Sequence, residues 1–210
     1  MNELSDKLSF LSIGFSIITF VFCITYVRSI RTYLIPLMLL VTAGCIADSL
    51  NFFLSANEVI NLFIFRAYTL IEFTLWVIFY YLFYKEYYGN YRLLFIQLPL
   101  FYLVCVIDYN VNGVNSFDNL SLSFEAVVLS MHAMYSFWVL MKTRIFSNLL
   151  RVPFFYINSG ILLYFLGNLM FFVFSNLVLK STSLWDIHSV LSILFNILII
   201  AAFWKSPQTV

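Results

Sequence analysis

Residues Glu58–Lys85 read EVINLFIFRAYTLIEFTLWVIFYYLFYK. The run is long and almost wholly apolar, with Arg66 near one end and Glu72 close to its middle. Ionisable groups at membrane depth cost about 2.5–3.5 kcal/mol each on insertion scales, so neither belongs in hydrocarbon unless protein surrounds it. The stretch is therefore expected to be the central helix of a membrane bundle, with the other hydrophobic runs packed around its polar face.

The rest of the chain has the same character. Of 210 residues, 63% are hydrophobic, 20% aromatic and only 10% charged, and the mean hydropathy is +0.96. Soluble domains carry about 25% charged residues, so the composition indicates an integral membrane protein. Apolar runs of about the 20 residues a span requires fall at Leu8–Val27, Tyr33–Leu54, Val59–Tyr84, Leu93–Tyr109, Leu120–Met141, Phe154–Leu179 and Leu184–Trp204. They are continuous rather than alternating, which favours helices over a barrel. The expected fold is all-α and polytopic: one domain over residues 1–210, with seven transmembrane helices.

Eight of the eleven basic residues (Arg28, Arg31, Lys85, Arg92, Lys142, Arg144, Arg151 and Lys205) fall on one side of these spans. Lys7 and Lys180 fall on the other, and Arg66 lies within a span. Basic residues mark the cytoplasmic side, so the N-terminus is expected outside and the C-terminus in the cytoplasm. The start, MNELSDK, is slightly acidic and reads as the lead into a retained first span, not a cleaved signal. Pro36, Pro99 and Pro153 sit near the starts of the second, fourth and sixth spans, where proline suits a helix. Asn110–Asn119, NVNGVNSFDN, reads as the one true loop, a solvated turn or a lid. Cys23, Cys45 and Cys105 all lie in apolar runs and read as buried, inert thiols.

Polar residues recur at helical spacing. The fifth span carries Ser121, Glu125, His132 and Ser136 on one face. The seventh carries His188, Ser192 and Asn196, and the third Tyr68, Glu72 and Trp76, each set at steps of four. Asp48 and Asn51 come from the second span, Tyr164 and Asn168 from the sixth. Asp48 and Arg66 both lie about 9 Å below the outer edge of neighbouring antiparallel helices, and are expected to form a structural ion pair. Glu72, Glu125, His132, His188, Asn168, Asn196, Tyr68 and Trp76 are the candidate residues of an outward-opening polar cavity.

Several chemistries are excluded or weakened. A retinal protein needs a lysine within the last span, and Leu184–Trp204 has none. No Gly-rich phosphate loop, nucleophile motif or dinucleotide fingerprint is present, and a net charge of +1 gives no reason to invoke nucleic acid. No cofactor is expected. A zinc-dependent intramembrane lipid hydrolase would draw on His132 and His188 as metal ligands, but the chain has only two histidines and no HExxH pairing.

Three motifs add a resemblance: Tyr68-x-x-x-Glu72-Phe73, Asn158 with Tyr164-Phe165-x-Gly167-Asn168, and Leu184-Trp185-x-Ile187-His188. In these the chain resembles a group of small, uncharacterised seven-helix inner-membrane proteins of Bacteroidetes. The resemblance implies a multi-pass protein of a bacterial inner (cytoplasmic) membrane, and a signalling partner such as a histidine kinase. It transfers no catalytic residue. The expectation is a sensory or partner-binding module that signals through a separate cytoplasmic protein. The alternatives are a small-molecule or proton-coupled transporter and, second, the zinc-dependent hydrolase.

Overall fold

A computed structural model describes residues 3–26, 31–57, 61–89, 91–113, 116–143, 149–178 and 182–206, and these contain helices but no strand. The α-helices are α1 (Glu3–Tyr26), α2 (Ile35–Ala56), α3 (Leu62–Tyr88), α4 (Gln97–Asn112), α5 (Asn119–Thr143), α6 (Pro153–Ile161), α7 (Gly167–Val178) and α8 (Thr182–Lys205). Short 3-10 turns lead into α2, α4 and α6. A π-helical turn, Leu162–Leu166, joins α6 to α7 without a break. Counting α6–π–α7 as one, seven helical segments are long and apolar enough to cross a membrane. Pro36 and Pro153 stand in the first turns of α2 and α6. There a missing N–H costs nothing.

Two boundaries differ from expectation. The third helix starts at Leu62 and runs on to Tyr88, because Tyr84–Tyr88 continue the helix past the apolar stretch. Asn110–Asn112 end α4 and Asn119 starts α5, so the expected loop is much shorter. Gly113 stops α4 at φ +76°, a left-handed conformation glycine adopts freely, and its N–H donates to the Tyr109 carbonyl at 3.0 Å. Arg28, Glu58, Val59, Ile60, Val114, Asn115, Arg144 and Lys180 lie outside the described residues.

α1 packs between α2 and α8, α2 packs on α3, and α6 packs on α8. α5 touches α3, α4, α6, the π turn and α7. The centre is therefore shared by α3, α5 and α6–π–α7, while α1 and α4 lie at the periphery. Gly167 lets α7 approach α8 closely: a Cβ there would lie 2.7 Å from Leu191 Cδ1.

The alternating helices gather Arg31, Lys85, Arg92, Lys142, Arg151 and Lys205 at one end, the basic end. Arg31 and Glu86 meet there at 3.2 Å, both about a third exposed. The basic half is packed solid with rings. Phe79, Tyr80 and Phe83 pack on Phe154, with Tyr33 and Tyr84 against their other sides, all almost completely buried. Phe73 stacks on Phe101 at 4.1 Å. Such pairs add about 0.5–1.5 kcal/mol each beyond burial. Close packing of this kind holds helices together where lipid removes the usual hydrophobic drive.

Candidate functional site

The opposite half, the far end, is hollow. A partly open cavity of about 150 Å³ lies between α1, α2, α3, the π turn, α7 and α8. Asp48, Tyr68, Glu72, His188, Ser192 and Asn196 line it, among walls of Phe65, Tyr164, Phe171, Trp185 and Phe195. At 1.5 Å per residue, Glu72 lies about 15 Å along α3 from its far end and His188 about 9 Å along α8. Trp76, one turn below Glu72 and buried, packs its ring against Phe79, Tyr80 and Phe195 and closes the floor. Phe117, just before α5, lines the cavity from the far end and packs on Phe65, Phe171 and Trp185.

The expected Asp48–Arg66 pair is not formed. Asp48 instead accepts the Ser16 hydroxyl of α1 at 2.7 Å. Arg66 donates to the carbonyls of Gly113 and Ser116 at 2.7 and 3.0 Å, with its guanidinium 5.8 Å from the centre of the Tyr109 ring. The reason is local: the end of α4 offers carbonyls with no helical partner, and a cation at a helix C-terminus is favoured. Arg66 thus pins the segment that carries Phe117.

Glu72 is 7% exposed, and its nearest polar neighbours are the Tyr68 hydroxyl and the Trp76 indole N–H, one turn to either side. No hydrogen bond of ordinary geometry closes on it from Trp76, whose Nε1 is buried and unpartnered. Tyr68 reaches the cavity because α2 has a glycine opposite it; a Cβ on Gly44 would lie 3.2 Å from the Tyr68 hydroxyl. Asn168 does not line the cavity but orients a residue that does. Its Nδ2 donates to the Tyr164 carbonyl at 2.8 Å, which leaves Oδ1 to face His188 Nδ1 at 3.1 Å. That oxygen can only accept, so His188 carries its proton on Nδ1 and keeps Nε2 as a bare acceptor. Asn196 turns its amide nitrogen back to the Ser192 carbonyl at 3.0 Å.

The α5 stripe goes elsewhere. Ser121 donates through both N–H and hydroxyl to Asp108 Oδ2. His132 meets Gln97 Oε1 at 2.9 Å and stacks on Tyr80. Ser136 donates to the His132 carbonyl and meets the Tyr84 hydroxyl. Glu125 is fully buried, with neither oxygen hydrogen-bonded, within electrostatic reach of Glu72 and Asp118. His132 and His188 therefore serve different places. Among the described residues no three His, Cys, Asp or Glu side chains come together as a metal site would require. Asp118 precedes α5 at the capping position, yet Asp108 takes the Ser121 N–H. Asp118 Oδ1 is left buried and unpartnered, and burial raises this carboxyl above the usual aspartate range.

Sequence reasoning missed Ser16, Gln97 and Phe117 as partners of this architecture. Ser12 and Ser16, four residues apart and both on the cavity, were a signal for the first. Comparison with family models, with curated proteins and with solved structures finds no match.

Proposed function

We propose that the chain is a membrane-embedded binding module that takes a small molecule into the far half of the bundle. The observation that carries this reading is the cavity itself, which Asp48, Glu72 and His188 line among aromatic walls. Small-molecule sites have this make-up: mostly apolar walls with a few placed polar groups. The membrane we assign is a bacterial inner membrane; the described basic residues support a cytoplasmic placement of the opposite end, with the N-terminus outside and the cavity facing out. Occupancy would then be read by a separate cytoplasmic protein, such as a histidine kinase, at the basic end.

The test is a thermal-shift screen of a chemically broad small-molecule library on protein in lipid nanodiscs. Hits should raise the melting temperature of the native chain. They should fail on Ser192→Phe, which fills the cavity from α8, while that variant keeps its own melting temperature. A library that yields no hit sinks the reading.

Glu125 favours a second reading, proton-coupled transport, because a buried acid with no partner beside Glu72 is suited to holding a proton. Uptake into proteoliposomes that collapses in Glu125→Gln would support it. The packed floor of Trp76, Phe79 and Tyr80 weighs against passage and places binding first.

A further inference from the structure

The chemistry of the cavity points to a class of ligand. We infer that it accepts a small protonated amine, a primary ammonium group on a short apolar or ring-bearing body; this rests on reading the cavity as a binding site. Two carboxylates, Asp48 and Glu72, line the space, and among the described residues no lysine or arginine does. Arg66, the nearest cation on α3, is turned away to the Gly113 and Ser116 carbonyls. Two further acceptors lie beside them. Asn51, which also lines the cavity, has a buried Oδ1 with no partner. His188 presents Nε2 because Asn168 holds the proton on Nδ1. Ser16 is committed to Asp48 and the Asn196 amide to Ser192, while the hydroxyls of Ser12, Tyr68, Tyr164 and Ser192 line the space and can turn to accept from a guest.

A site with two carboxyl groups and no described lysine or arginine selects a guest that brings its own N–H groups. Ring faces on Tyr68, Tyr164 and Phe195 suit the same charge, since an aromatic face attracts a cation and a desolvated one most strongly. A carboxylate ligand would meet Asp48 and Glu72 with like charge. A neutral alcohol would satisfy one acceptor and leave the others bare. Size narrows the class further: about 150 Å³ is room for a guest near the size of benzene.

Three probes of nearly equal size decide the matter: benzylammonium, benzyl alcohol and benzoate, titrated calorimetrically into nanodisc protein at neutral pH. Benzylammonium should bind at least ten-fold tighter than benzyl alcohol, and benzoate should not bind. Glu72→Gln should remove the preference. Equal binding of amine and alcohol, or tighter binding of benzoate, overturns the amine assignment and leaves the cavity as a binding site. The amine assignment falls in the same way if none of the three binds while the broad library gives hits. If neither the probes nor the library bind, both readings fall.

A second measurement needs no ligand and no acidic variant. Cys45 lines the cavity. With Cys23 and Cys105 replaced by serine, a trimethylammonium-bearing methanethiosulfonate should modify Cys45 at least ten-fold faster than its sulfonate-bearing counterpart, after correction for their rates with free thiol. A corrected ratio near one overturns the inference.

Discussion

Single residues here are decided by which partner lies closest, and spacing along the chain conveys that poorly. Asp48 and Arg66 were legible as polar groups at similar depth on adjacent helices. The sequence does not contain the azimuth that turns Asp48 toward Ser16 and Arg66 toward the end of α4. Asp48→Asn and Arg66→Ala should therefore act independently. A double-mutant cycle on thermal unfolding should give a coupling energy below about 0.5 kcal/mol, the additivity limit for unconnected sites; a coupling above that level would restore the ion pair. Arg66→Ala alone should cost about 2 kcal/mol, because it strips charged donors from two carbonyls. Asp118 makes a pH prediction. Its folded-state carboxyl is raised above the usual value by burial, so the folded chain binds more protons than the unfolded one between the unfolded value and the raised one. Stability contributed by this group is full below the unfolded value, near pH 4, and is lost as pH rises through the raised value. Asp118→Asn should raise the melting temperature at neutral pH relative to the native chain, and the gain should vanish at about pH 4. An unchanged difference across that range would refute it.

Elements were the most legible level, because hydrocarbon demands long apolar helices and leaves no choice. All seven spans could be read from run length alone. The sharing of the centre by α3, α5 and α6–π–α7 could not, since each is apolar on most of its surface and no face announces itself. The stripe of Ser121, Glu125, His132 and Ser136 shows the same limit: four-residue steps align side chains but do not say which neighbour they meet. The π turn was also invisible, as nothing in LLYFL breaks a helix. Its consequence is testable. Deleting Leu163 should restore a regular helix with α7 almost unrotated against α6, because a π turn takes up one extra residue in about the rotation of an α turn. Asn168 should then stay on His188 and ligand binding should survive; binding lost in a bundle that still folds would show that the turn itself shapes the site. Across the α7–α8 seam, Gly167→Ala should cost about 1–3 kcal/mol by overpacking, and Leu191→Ala should recover part of it. Additive losses in the double variant would refute the contact.

At the scale of the whole molecule, the division between a hollow far half and a solid basic half was only partly foreseeable. The crowd of aromatics and the clustering of basic residues at one end are plain in the chain, but the floor at Trp76 depends on rings from α3, α6 and α8 meeting. With the N-terminus outside, a reporter fused after Gly89 should fall in the cytoplasm and one after Gly113 outside; the reverse result inverts the proposed orientation. The uneven filling also makes the molecule mechanically lopsided. Pressure removes internal void, and here that void runs from the far end past the middle of the bundle and stops short of the rings around Phe154. Compression should therefore squeeze the far half first and leave the ring-filled half nearly rigid, so the protein would yield as a wedge, tapering toward one side of the membrane.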